Sequence, residues 1–203
     1  MKKEFSFYEF VGILVPSAIF LYAIQLIVEF VYQKQIVDFG KFGETLIFIV
    51  ICYGVGHLLQ SIGDFFENIV WWIAGGMPTQ WLTKKNRFEN TLFDSDENQI
   101  IKDKVIHKFG GSIKDYGRLV YSYIYQKEKT SRVDIFNSNY SLFRGLSVVF
   151  LLITIICCYF FDWRVTIIML IPFALSFMRM IRFAKYYARE IFRTFYNFVE
   201  SKS

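Results

Sequence analysis

The sequence predicts an all-α integral membrane protein, with four transmembrane helices and a small cytoplasmic helical segment between the second and third. Three observations carry this expectation. Of the 203 residues, 54% are apolar and 20% aromatic. The apolar residues gather into long uncharged runs, where a soluble chain would interrupt them with charge much sooner. The lysines and arginines concentrate in alternate segments between those runs.

The first two runs, Phe10 to Val28 and Thr45 to Gly63, contain no acidic residue, lysine or arginine. Each approaches the roughly 20 residues needed to cross a hydrocarbon core. They predict spans over about 10–30 and 45–63. A third run, Gly145 to Phe161, extends backwards through Leu142 and Phe143 if Arg144 snorkels towards the headgroups. The fourth, Val165 to Met178, covers only about 21 Å at the helical rise. It therefore borrows length from Trp163, Arg179 and Arg182, residue types at home in an interface. Asp162-Trp163-Arg164 alone separates runs three and four, which predicts an antiparallel helical hairpin.

Short loops rich in lysine and arginine stay in the cytoplasm during insertion. Residues 84–144 carry twelve of them and residues 179–203 carry six. The loop from Glu29 to Glu44 carries only Lys34 and Lys41, set against Glu29, Asp38 and Glu44, and the other outer loop has Arg164 alone. With Lys2 and Lys3 at the start, the distribution places both termini in the cytoplasm. The first run exceeds the core of a cleaved signal peptide and lacks an Ala-x-Ala site after it, so it is read as a span. Cys52, Cys157 and Cys158 lie within apolar runs and read as packing residues.

The chain divides into a transmembrane pair with an amphipathic extension (1–83), a cytoplasmic helical segment (84–140), a transmembrane hairpin (141–181) and a basic amphipathic C-terminal helix (182–203). Phe65 to Ile73 fits either a continuation of the second helix or an interfacial segment with Trp71 and Trp72 at headgroup depth. In the polar segment, Asp94 precedes Glu97 by three, a capping-box spacing, and Gly110-Gly111 would end the helix that follows. Ile101, Val105 and Phe109 form its apolar stripe. Ser112, three before Asp115, would start a second helix, whose Tyr116, Leu119, Val120, Tyr123 and Ile124 recur at helical spacing. Two such short helices cannot stand alone. Their apolar faces must pack on each other, on the inner ends of the membrane helices, or on a neighbouring subunit. At the end of the chain Arg182, Lys185, Arg189 and Arg193 share one helical face, with Phe183, Tyr187, Ile191 and Phe195 opposite. That basic face suits either solvent or anionic headgroups. Direct nucleic-acid binding is not expected, because the positive-inside bias already accounts for the net charge of +5.

No nucleophile elbow, zinc-binding spacing or phosphate loop occurs, so no catalytic, cofactor or metal site is expected. Gly75-Gly76 before Met77-Pro78 reads as a helix stop. The informative span is the second. Tyr53, His57, Gln60, Ser61, Asp64 and Asn68 recur at spacings of three and four and make one polar stripe. At membrane depth such groups face a bundle interior or water. Gly54, Gly56 and Gly63 offer close approach to another helix. The stripe therefore either cements helix packing within one subunit or lines a shared axis among several copies. Pro16 and Pro172 each free a backbone carbonyl inside a span, and Gln25 could hydrogen-bond to the stripe.

Phe7-Tyr8-Glu9-Phe10-Val11-Gly12 through Pro16, and Gly56-His57-Leu58-Leu59-Gln60-Ser61-Ile62-Gly63, resemble the first two spans of small bacterial membrane proteins associated with antiphage defence. In length and layout the chain is similar to the four-span membrane accessory proteins of type VI-B CRISPR loci. The resemblance implies a modulator or effector of interference acting at the membrane, beside a CRISPR effector or another cytoplasmic defence protein. The chain lacks the arginine followed four to six residues later by histidine that HEPN ribonucleases use, so the multi-span accessory type is the one it resembles. Three function classes follow: an oligomeric, pore-forming or depolarising defence effector; a small channel or transporter unrelated to defence; and a lipid-modifying enzyme using His57 and Asp64 as acid and base.

Overall fold

The computed structural model describes residues 7–34, 42–84, 87, 91–111, 115–127 and 130–200. Lys2, Lys3, Asp38, Lys41 and Ser112, used above, lie outside them, as do the side chains of Phe7, Tyr8, Glu9 and Phe10. The regular structure among the described residues is helical: α1 (Phe7–Tyr32), α2 (Phe42–Ala74), a 3-10 turn at Pro78–Gln80, α3 (Ser95–Phe109), α4 (Tyr116–Tyr125), α5 (Ser131–Phe160) and α6 (Trp163–Glu200). Helices α1, α2, α5 and α6 are long and apolar enough to cross a membrane. Their apolar surface is largely turned outward: in the most apolar stretch of α5 39% of residues are buried, and in that of α6 only 17%.

Helix ends follow the glycines. Helix α2 runs without a break through Phe65 to Ile73, so that segment continues the helix. It stops where Gly75 and Gly76 take positive φ of 85° and 120°. There the Gly76 N–H donates to Trp71 O at 2.8 Å and the Gly75 N–H to Trp72 O at 3.3 Å, closing a Schellman motif. Asp94 occupies the N-cap position of α3, but its side chain makes no capping hydrogen bond and Glu97 pairs with Arg193, so the expected capping box does not form; Gly110, at φ 90°, ends the helix. The start of α4 differs from the expectation. Its N-cap is Asp115, whose carboxylate accepts from the Arg118 N–H at 3.2 Å. A short acidic side chain can close the first turn from the N-cap itself. Helix α5 also starts earlier than the apolar run suggests, at Ser131, because nothing in 131–144 breaks a helix and Val133 and Tyr140 are buried.

The chain forms two compact units, 1–66 with 138–180 and 67–137 with 181–203. In the first, a core of Leu59, Val148, Val149, Ile153 and Cys157 is surrounded by residues of all four long helices, among them Ile19, Ala23, Phe66 and Met169. Ring pairing at 5.2 Å joins Phe30, near the end of α1, to Phe161 in the α5–α6 turn. Phe66 of α2 meets Phe177 of α6 at 6.0 Å. Helices α1 and α5 thus run one way and α2 and α6 the other. The second unit packs α3 and α4 on each other and on the last turns of α6. Phe109, Tyr123 and Phe195 form an aromatic cluster with centroids 5.6 to 5.9 Å apart. Val105, Val120, Ile124 and Phe192 are completely buried beside it.

The α1–α2 contact rests on Gly56. A Cβ there would lie 2.5 Å from Ile13 Cγ2 and 2.6 Å from Ile13 O, so backbone would have to move. A Gly56→Val variant should lose about 1–3 kcal/mol of stability through overpacking. Gly54→Ala, whose Cβ meets nothing within 4 Å, should be close to neutral. Unfolding of the purified proteins in detergent measures both.

Candidate functional site

The polar residues of the first unit converge where α1, α2 and α5 meet. Proline at position 16 has no N–H, so the carbonyl four residues earlier, Gly12 O, loses its helical donor. Gln60 of α2 supplies one: its Nε2 donates to Gly12 O at 2.9 Å. The other end of the same amide accepts from Arg144 of α5, with Nη2 2.7 Å from Gln60 Oε1. Arg144 Nη1 then pairs with Asp64 Oδ1 at 2.6 Å. Small residues let the helices approach closely enough for this relay. A Cβ on Gly145 would lie 3.0 Å from Pro16 Cγ, and one on Gly63 would lie 3.4 Å from Arg144 Nε.

Arg144 is therefore not the snorkelling residue expected from its place at the edge of an apolar run. Its side chain is only 15% exposed and turns inward, because an amide and a carboxylate at its own level satisfy it better than a lipid interface would. The sequence does carry a signal for it. In an antiparallel arrangement, an arginine at the polar end of one span and an aspartate at the polar end of the next fall at the same depth. Gln25 is buried on α1. The Ile13–Gly56 contact sets a register in which Gln25, twelve residues further on, stands opposite the start of α2, away from the stripe.

The stripe on α2 is split lengthwise. At about 100° per residue, Gln60, Tyr53 and Asp64 lie on one side of it and His57, Asn68 and Ser61 on the other. Gln60 and Tyr53 are half-buried, whereas His57, Ser61 and Asn68 are exposed. Asp64 stands between: one oxygen pairs with Arg144 while the side chain is 64% exposed. Tyr53 meets the His57 ring edge-on at 4.8 Å. The Ser61 hydroxyl donates to His57 O at 3.1 Å. Asn68 belongs to the second unit, and the line's members in the first unit, His57 and Ser61, stand about one helical turn apart. Above them on the same face stand Val50, 71% exposed, and Ile47, 62% exposed.

No protein-family model, curated protein or solved structure matches the chain.

The basic residues of the last helix lie in the second unit, and three of them are engaged there. Lys185 lies over the Trp81 ring, 5.7 Å from its centroid. Arg189 Nε donates to Leu92 O at 2.8 Å, and Arg193 holds both carboxylate oxygens of Glu97 at 2.9 and 3.2 Å. Arg182 is exposed. The face is thus tied to Trp81, Leu92 and Glu97, while Arg182, Arg189 and Arg193 keep exposed surface. Nearby, the Tyr121 hydroxyl donates to Asp134 Oδ1 at 2.9 Å. Burial first, and then that bond, push the Tyr121 pKa up, and burial with the charges of Asp134 and Asp115 pushes Tyr187 up to about 12. Both phenols stay protonated at neutral pH and act there as donors or packing surfaces. Among the described residues no group of three His, Cys, Asp or Glu side chains could hold a metal ion.

The relay predicts a coupling between Pro16 and Gln60. Gln60→Leu leaves Gly12 O and Arg144 short of partners and should cost about 1–3 kcal/mol. In a Pro16→Ala background the restored N–H can reach Gly12 O, so the same substitution should cost less, with a coupling of about 0.5 kcal/mol or more. A double-mutant cycle of unfolding in detergent reads it out, and additive costs would contradict the relay.

Proposed function

We propose that the chain is a multi-pass protein of the bacterial inner membrane, with both termini in the cytoplasm, acting as a non-enzymatic and oligomeric effector or regulator of antiphage defence. Membrane insertion is supported by the outward apolar surface of the long helices. It is supported too by the exposed aromatics Phe30, Tyr32, Tyr159, Phe160 and Trp163, at the helix ends opposite Gly12. Residues of this type gather at a headgroup boundary. Orientation rests on the distribution of lysine and arginine, and the defence role on the resemblance of the first two spans. A CRISPR effector or another cytoplasmic defence protein would then be its partner.

The observation that carries the oligomer is the outward half of the α2 stripe. His57, Ser61 and Asn68, with Asp64 beside them, are exposed on a helix whose other exposed side chains are mostly apolar, and facing lipid costs such groups several kcal/mol in total. A second copy presenting the same face removes that cost. An assembly around His57 and Ser61 has a wet vestibule on one side and a hydrophobic constriction at Val50 and Ile47 on the other. Apolar constrictions close pores by excluding water. Such an assembly is closed at rest and opens when a signal displaces α2, which suits an effector that must not leak. A small channel unrelated to defence would use the same geometry, and the two differ in what opens it.

The test is membrane potential, followed by a voltage-sensitive dye in bacteria expressing matched amounts of each variant. Wild type should leave the membrane polarised. Val50→Ser, which wets the constriction, should depolarise it, and adding His57→Leu with Ser61→Leu should suppress that leak. A Val50→Ser protein that leaves the potential at the wild-type value would overturn conduction along this face.

A further inference from the structure

We infer that the second unit holds a binding site for a small phosphate ester, in the groove that Trp81 and residues 91–95 form with helix α6. The groove encloses about 550 Å3, within the roughly 300–1,000 Å3 usual for small-molecule sites. Two cations one helical turn apart, Lys185 and Arg189, form one wall. Like charges at that spacing repel each other, yet both are held in place. Arg189 is anchored by its Nε bond to Leu92 O, which orients the guanidinium and leaves its terminal nitrogens for another acceptor. Lys185 rests over Trp81, and Trp81 is itself rigid, 4% exposed with Nε1 donating to Gly76 O at 3.0 Å. The neighbouring cations are already matched, Arg193 by Glu97 and Arg132 by Glu190. Among the described lining residues the acid is Asp94, so two positive charges there face one negative charge.

That surplus fits a phosphate, which accepts charge-assisted hydrogen bonds from both cations. Asp94 narrows the ligand further. A carboxylate beside an anion site repels bare anions but accepts from hydroxyl groups, and Thr91 and Ser95 also line the groove, their hydroxyls donating to Phe93 O at 2.6 Å and to Asp96 Oδ1 at 3.2 Å and so left as acceptors. The ligand class is therefore a phosphate ester whose neighbouring carbons carry hydroxyls. Two sources share this chemistry, the headgroup of a lipid such as phosphatidylglycerol and a free phosphorylated polyol. The site stands independently of any conduction along α2.

The experiment uses the full chain in neutral maltoside detergent, with thermal unfolding followed as glycerophosphate is added. A second arm compares nanodiscs of phosphatidylglycerol with nanodiscs of phosphatidylcholine. Wild type should show a saturable rise in midpoint, and Lys185→Gln should need about tenfold more probe for the same rise. Ser95→Glu keeps both cations and puts a carboxylate at the first turn of α3, where it favours the helix, so it should fold normally and also lose the response. Lys104→Gln, whose ammonium pairs with Glu200 outside the groove, should respond as wild type does. A rise with glycerophosphate identifies a free ligand. A rise confined to phosphatidylglycerol nanodiscs and lost in the same two variants identifies the headgroup. No saturable rise in either arm, or an unchanged response in Ser95→Glu, overturns the site.

Discussion

A single unsatisfied carbonyl organises the membrane-helix unit. Pro16 removes the donor that Gly12 O would otherwise have, and in an apolar setting a free carbonyl is expensive. Gln60 Nε2 meets it, which requires α2 to present that one face to α1. The amide's oxygen then needs a donor and takes Arg144, whose charge in turn takes Asp64. Each step is forced by the one before. The glycines at 56 and 145 are where α1 comes too close for a side chain to fit without movement, and a Cβ at Gly63 would touch the Arg144 side chain at 3.4 Å. The chain of bonds fixes the rotation of α2 about its own axis, and that rotation decides which of its residues look outward.

Rotation is what the sequence could not supply. Spacings of three and four place Tyr53, His57, Gln60, Ser61, Asp64 and Asn68 on one side of a helix, but the stripe is about 100° wide, enough for one edge to be inside and the other outside. Periodicity locates the stripe, while tertiary contact divides it. The same limit explains Arg144. Its depth was legible, but its partners lie 84 and 80 positions earlier, beyond the reach of local pattern. By contrast, elements whose cause is local were legible: the stops at Gly75-Gly76 and Gly110, the helix start at Asp94 and the four long apolar helices. The early start of α5 was not, since 131–144 contains polar residues that a helix tolerates and no residue that ends one.

The basic face of α6 teaches a related lesson. Arg182, Lys185, Arg189 and Arg193 look like one surface when read along the helix. Folded, Arg189 and Arg193 reach Leu92 and Glu97, close to a hundred residues away in sequence, and Lys185 reaches Trp81. The charges that positive-inside insertion calls for thus also tie α6 to α3, and two of them border a groove. A charge pattern along a helix therefore does not by itself separate a free surface from residues that tie elements together.

The central claim is that the relay buries one edge of the α2 stripe and leaves the other for a second copy. Cysteine cross-linking in native membranes tests it most directly, in a background where Cys52, Cys157 and Cys158 are replaced by alanine. Single cysteines at His57 and Ser61 should give disulfide-linked dimers on mild oxidation, while one at Ile167, exposed on α6, should not. Absence of dimers at both α2 positions, or equal dimer yield at Ile167, would contradict the account.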